Sequence, residues 1–537
     1  MRRSLIVALG VLAVLGMLTL PSFAQAPAPK VTINGLVDSV VSAYSNTSQN
    51  GGQDVTSPVD RGWHSRQRGV FTLTGEVGKT KGVWAVELDF MNGAGSVNGG
   101  NAFGSNNNAV VHTGITANFD LDTDVASAIE TKWLYLETPI TGPGSLMPFI
   151  PVTTIGRFGG QPARGHNYKG ALIFTGDFPG VNFETKWAPN VRSTLTYVQI
   201  AEAIDRVAAP GQKEAFAFLA SVEVDVFKGL TVKPTYAYAF FNGGNCGTNN
   251  HGTQNFGGIN FNGNCPGATT LTATLTSTAT NVGSGGDIRR HYFGGEARWT
   301  SGPFYVEPSV FFLRGDEDVP AAGGRKNVDI NAYIIDTSAG FRTGPLNLEA
   351  RAMYTPGVGA NHSLNNGGGG TDRRYAAIHT GNNYMAGWSE IWKSNISYLT
   401  TLMVSGNGGG LVLRSSPGYD KYGRVFFALA MDYSLTPALT LRALTNVSWT
   451  DTKVDTTGFL AGGVTGITTR GTRGTERYLG NEWNLGFTYR FAPNVAFDLV
   501  GAILLTGDAL NHARTAGGPV FQAHDVYKGA ARIRLTF

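Results

Sequence analysis

Beyond its first two dozen residues the chain has no apolar run long enough to cross a bilayer as a helix. That removes helical membrane proteins from consideration but leaves strand-crossing ones untouched, because each barrel strand is a weak signal by itself. A dominant charge is lacking too: 42 Lys and Arg stand against 38 Asp and Glu, a net of +4. Such a balance gives no reason to expect nucleic acid or an acidic surface as partner. Catalytic and metal signatures are also missing. There is no Gly-x-Ser-x-Gly elbow, and the nine histidines are scattered without paired ligand spacing. Gly78-Lys79-Thr80 resembles the end of a phosphate loop, but Leu73 stands where the upstream glycine is required. Asp120, Asp122 and Asp124 have the spacing of calcium-loop ligands, yet Val125 occupies the glycine position. The expectation is a protein without enzyme activity, cofactor or metal.

The first 24 residues read as a secretory signal. Arg2 and Arg3 form its positive end, Leu5 to Leu20 its apolar core, and Ser22-Phe23-Ala24 a cleavage site before Gln25. Residues 25–537 are then one exported domain. Only two cysteines occur, Cys246 and Cys265, both in the polar stretch 243–287. In an oxidising compartment two such thiols are better explained by a bridge than by catalysis.

What the chain has in quantity is glycine, 73 residues, and alternation. In Asn481 to Phe491, Trp483, Leu485, Phe487, Tyr489 and Phe491 point one way while Glu482, Asn484, Thr488 and Arg490 point the other. The end repeats the pattern: Tyr527, Ala531, Ile533, Leu535 and Phe537 oppose Lys528, Arg532, Arg534 and Thr536. Similar runs recur along the chain, joined at alternate ends by short turns such as Lys81-Gly82, Ala188 to Val191, Ser301-Gly302-Pro303 and Thr343-Gly344-Pro345. The opposite ends carry longer polar segments, 91–126 and 243–287 among them. This predicts an all-β, antiparallel transmembrane barrel of about 18 strands (16–20), with short periplasmic turns and long extracellular loops. The number is 18 if 356–420 is one excursion and 20 if Tyr384 to Leu413 adds a hairpin. A barrel that wide leaves an aqueous passage.

The opening strand, Val31 to Asn46 (VTINGLVDSVVSAYSN), resembles that of bacterial general porins, with a Gly-hydrophobic-Val-Asp run at Gly35 to Asp38. Gly35 itself also reads as a kink or a place where the wall packs closely. Arg477 to Arg490, then Ala492-Pro493-Asn494-Val495 and Gly507-Asp508, resemble the closing strands of the alginate-export family of outer-membrane porins. That likeness implies an 18-stranded monomer passing anionic polysaccharide through a pore lined by Arg and Lys. The terminal Phe537 resembles the signal read by the barrel-assembly machinery.

By alternation the candidate pore-lining residues are Arg68, Glu87, Asp89, Arg157, Arg192, Arg298, Arg351, Arg424, Arg442, Arg490, Arg532 and Arg534. On a lipid face an Arg or Lys costs about 2–4 kcal/mol at the midplane; in a lumen it stays hydrated. Glu296 with Arg298 and Glu349 with Arg351, two apart on one strand, are expected to pair, and the late strands are expected to form a basic wall facing an acidic early one. The reading that follows is an outer-membrane channel for passive diffusion of small hydrophilic solutes with weak charge selectivity. A substrate-specific transporter of the alginate-export kind is the alternative, and an adhesin or scaffold a third. Expected partners are outer-membrane lipid and lipopolysaccharide, the assembly machinery and the solutes, as a monomer or a trimer.

Overall fold

The computed structural model describes residues 28–45, 61–93, 124–125, 129–166, 168–169, 172–201, 215–242, 287–321, 324–359, 371–378, 387–392, 396, 417–418, 422–454, 456, 474–513 and 519–537. The leader, both cysteines, Asp120 and Asp122 lie outside them.

Among the described residues, eighteen long antiparallel strands close into one sheet, with the two-residue strand Asp124–Val125 paired to the start of Ile129–Thr141. In chain order the strands are β1 (Lys30–Ser45), β2 (Arg61–Val77), β3 (Thr80–Gly93), β4 (Ile129–Thr141), β5 (Thr153–Pro162) and β6 (Asp177–Ala188). Then come β7 (Val191–Ala201), β8 (Ala215–Phe227), β9 (Leu230–Asn242), β10 (Asp287–Ser301), β11 (Phe304–Ala321) and β12 (Gly324–Thr343). The last are β13 (Leu346–Thr355), β14 (Arg424–Ser434), β15 (Leu439–Val454), β16 (Glu476–Ala492), β17 (Val495–Thr506) and β18 (Val526–Thr536). Each pairs with its sequence neighbours, and β1 closes the ring by pairing with both β2 and β18. The hairpin considered for Tyr384 to Leu413 is not present among the described residues.

The turns follow from their residues. Gly302 and Gly344 take positive φ (57° and 51°) ahead of Pro303 and Pro345. A glycine in the first central position suits the type II′ turn, whose twist matches that of the flanking strands. The β4–β5 connection is longer than the two-residue turns, because β5 begins only at Thr153. Pro148 and Pro151 have no N–H to give a ladder.

One face of the wall is apolar and outward. Trp483, Leu485, Tyr489 and Phe491 on β16 are exposed, whereas Glu482, Asn484 and Thr488 between them are buried. Outward aromatics gather near the short turns: Trp187, Trp299, Phe304, Tyr433, Tyr489, Phe491 and Phe537. Further along, the rings of Phe293, Phe312, Tyr333 and Tyr354 run across β10 to β13 at centroid spacings of 5.5, 6.2 and 5.7 Å. Two aromatic belts flanking an aliphatic band are what a barrel meeting two lipid–water interfaces requires.

The inner face is not polar throughout. On β7 to β12 it carries Val198, Leu219, Ala237, Ala239, Ile288, Phe311, Leu313, Ile330 and Ala332, all buried. They are covered by Leu172, Ile173, Phe174, Tyr375 and Ile378, from two segments that fold into the barrel. A third inward segment, 387–392, packs Ile391 and Trp392 against Leu479, Ala502, Leu504 and Val526.

Candidate functional site

The candidate site is the lumen between these inward segments and the charged part of the inner wall. It is built from cross-strand pairs rather than from neighbours along a strand. Facing side chains on adjacent strands are about 4.5–5.5 Å apart at Cβ, closer than two same-face positions along one strand. The pairs expected within β10 and β13 are accordingly absent. Arg298 binds Glu307 at 3.0 Å, and Arg351 binds Asp336, with Nε and Nη2 at 3.0 and 2.5 Å from its two oxygens.

At the closing seam, cations outnumber acids. Glu87, almost fully buried, is shared by Arg68, by Lys132 at 2.6 Å and by Arg66 at 3.9 Å. Lys132 also reaches Asp177 at 3.1 Å. Three strands away from β2, on β17, Asp498 accepts from Arg532 Nε (2.9 Å), Arg534 Nε (3.2 Å) and the Thr488 hydroxyl (2.6 Å). Buried Asp38 on β1 stands between them, opposite Arg68 on one side and Arg534 on the other. The early acidic and late basic strands therefore do not face each other across the barrel. They adjoin through β1, and their charges interleave on one wall. Asp89 lies opposite Arg68 in the β2–β3 register; its side chain is outside the description.

Elsewhere, Arg157 is held by Glu137 (2.6 Å), Asn182 (2.9 Å) and Glu184 (2.9 Å). Arg192 pairs with Glu223, which also takes Lys233 at 2.9 Å. Arg442 and Asp432 meet at 2.8 Å near the short turns, where Arg442 is exposed and Asp432 half-buried, and Arg490 is exposed beside the next turn. Arg351 and Arg424 are covered by inward segments: Arg351 lies 5.6 Å from the Trp388 ring, and Arg424 lies 5.1 Å from Trp392 with no exposure at all.

The inward segments are fixed by wall carboxylates. Glu296 accepts the backbone N–H of Tyr168 (2.5 Å) and Lys169 (3.3 Å) and the Ser309 hydroxyl (3.0 Å). Glu482 does the same on the other side, accepting the N–H of Glu390 (2.7 Å) and Ile391 (3.0 Å) and the Ser389 hydroxyl (2.6 Å). Charge-assisted bonds of this kind are about twice as strong as neutral ones. The Tyr168 ring sits between Arg298 (3.8 Å) and the Lys233 ammonium (4.1 Å), a cation–π sandwich. The Lys169 ammonium reaches Asp336 at 3.2 Å; burial nonetheless lowers its pKa. His166 places Nε2 2.5 Å from the Thr196 hydroxyl oxygen and Nδ1 3.2 Å from that of Ser221. Its burial, and secondarily the charge of Lys233, push its pKa down to about 3.

Alternation singled out strand residues only, so Tyr168, Lys169, Trp388 and Ser389 escaped it. For Tyr168 and Lys169 the available signal is the apolar Leu172-Ile173-Phe174 run that follows them, since an exposed loop has no use for three such residues in a row.

No protein-family model matches the chain, and no curated protein matches it. Among solved structures, Pseudomonas aeruginosa OccK5 (OpdH) aligns over 94% of this chain and 98% of its own, at 11% identity and a TM-score of 0.44. Acinetobacter baumannii OccAB4 aligns over 96% and 100%, at 9% identity and 0.45. A BenF-like porin from Pseudomonas fluorescens Pf-5 aligns over 95% and 98%, also at 9% and 0.45.

Proposed function

We propose that this protein is an outer-membrane porin, a channel for passive diffusion of small hydrophilic solutes with a mild preference for anions. One observation carries the reading: a single closed wall presents aromatic and aliphatic side chains outward and ionised side chains inward. Exposed Trp483 and Leu485 alternate with buried Glu482 and Asn484 on the same strand. Such a wall is stable only with lipid outside and water or polar protein within. The outward band of aromatic and aliphatic side chains on a wall of strands supports an outer-membrane location. Inward segments narrow the passage on two sides, which favours small solutes over polymers. No catalytic role is assigned.

Reconstituted protein in a planar bilayer tests this. Steady ohmic conductance is expected, with a reversal potential displaced modestly toward anions in a salt gradient. Correctly folded protein that carries no current would overturn the channel reading. Block of the current by anionic polysaccharide, with no permeation of small solutes, would favour the alginate-export alternative instead.

A further inference from the structure

Below the Glu482 attachment, on the side of the short turns, the 387–392 segment and the inner wall of β13 to β18 line a partly open cavity of about 400 Å³. That is within the range of small-molecule sites, roughly 300–1,000 Å³. Asn484 is the next inward residue after Glu482, roughly 6.5 Å further along the strand. It lines this cavity, is 6% exposed, and both its amide nitrogen and its amide oxygen are buried without a partner. A buried side-chain amide lacking both bonds bears the full desolvation penalty of each group left unmade.

We propose that this cavity is a binding site for a neutral, sugar-sized polyol. The lining defines the chemistry. The Asn484 amide offers two donors and an acceptor, so its complement is a group that both gives and takes hydrogen bonds, as a hydroxyl does. Glu349 and Asp432 add acceptors, and Arg442, whose Nε engages Asp432 at 2.8 Å, adds donors. Vicinal hydroxyls satisfy this mixture without bringing a charge. An anion would meet Glu349, Glu390 and Asp432, and the two cations of the lining, Arg442 and Arg532, are already engaged by Asp432 and Asp498. Trp388 supplies the remaining requirement, an aromatic surface beside the polar groups for the C–H face of a sugar ring. The assignment rests on the porin reading for access to the cavity but not for binding itself.

The test is calorimetry on folded protein in detergent with glucose, and gluconate as its anionic counterpart, beside bilayer recordings of the same preparation. Glucose is expected to bind more tightly than gluconate and to interrupt the ion current. Asn484→Leu is expected to weaken glucose at least about tenfold, the worth of one good hydrogen bond, with Asn484→Gln recovering part of the loss. Should Asn484→Leu not fold, Trp388→Leu takes its place, since that side chain is only partly buried and its loss leaves the Glu482 attachment intact. No glucose heat in the parent protein, or affinity unchanged in these variants, or gluconate preferred, would each overturn the site. Conductance without glucose binding removes the site and leaves the porin reading standing; glucose binding without conductance does the reverse.

Discussion

The ring of Phe537, the last residue, lies over the Cα of Gly35. A Cβ built there would come within 2.4 Å of the ring carbon Cζ. Main-chain bonds fix the pair: Gly35 N–H donates to Phe537 O at 2.8 Å and Phe537 N–H to Gly35 O at 3.0 Å. The ring also meets Phe71 at 6.0 Å, so β18, β1 and β2 are tied together where the barrel closes. Gly35→Ile should expel the ring and cost about 1–2 kcal/mol, the value of an aromatic contact plus displaced packing. Purified barrel refolded in detergent should show a lower Tm by heat-modifiable gel mobility, with Phe537→Ala largely suppressing the difference. If Phe537 served only as an assembly signal, Gly35→Ile would leave the Tm of refolded protein unchanged.

The two carboxylate attachments yield the next expectation. Replacing Glu482 by Ala strips the acceptor from two backbone N–H groups and the Ser389 hydroxyl, a local loss of about 3 kcal/mol or more. The 387–392 segment should leave the wall while the strand ladder stays closed. Single-channel conductance should rise, roughly twofold for a segment filling one side of the passage. Glu296→Ala should act likewise through Tyr168 and Lys169. Unchanged conductance in both variants, with the barrel intact, would show that these segments do not limit flow.

Much of the wall was legible because a barrel meeting lipid must alternate at every step. Trp483 to Phe491 and Tyr527 to Phe537 are exposed on the expected face, and the Gly-Pro turns fall where the chain announced them. Gly35, read as a place of close packing, is one. The interior was less legible because alternation gives a face, not what covers it. Leu219, Ala237 and Ala239 face inward yet are apolar, since protein rather than water lies against them. Nor can a strand's own sequence name its cross-strand partners, which is why Arg298 and Arg351 were paired wrongly. The wall layout failed for the related reason that closure makes first and last strands neighbours.

His166 makes one attachment sensitive to acid. Its folded pKa, about 3, is below the ordinary 6.5 of a histidine. Among charged groups, Lys233 is the one that presses on it; Thr196, Ser221 and Thr235 are its neutral neighbours. The undocked state thus binds the extra proton, so stability rises with pH across this window. The contribution is fully present above about pH 6.5 and is lost progressively as pH falls toward 3. Conductance measured from pH 7 down to pH 4 should increase as the 163–169 segment loosens. In His166→Gln, which keeps a neutral polar group in place, that acid response should be much flatter. An identical response in the variant would remove His166 as its origin.

Selectivity should reside at the seam. Arg442 and Arg298 each have an acid beside them, at 2.8 and 3.0 Å, so their fields largely cancel within the roughly 8 Å screening length of physiological salt. Around the seam, by contrast, the described side chains of Arg66, Arg68, Lys132, Arg532 and Arg534 stand against Glu87, Asp177, Asp38 and Asp498, which leaves one cation in excess. Arginine stays ionised at every working pH, so this excess persists. Replacing Arg66 and Arg68 together by Gln, which retains hydrogen bonding to the wall, should carry the reversal potential from anion preference toward cations. Lys132 remains to hold Glu87, so the barrel should keep its heat-modifiable mobility. Arg442→Gln with Arg490→Gln, near the short turns, should shift it much less. A larger shift from that second pair than from the first would place the selective section at the short-turn end instead of the seam.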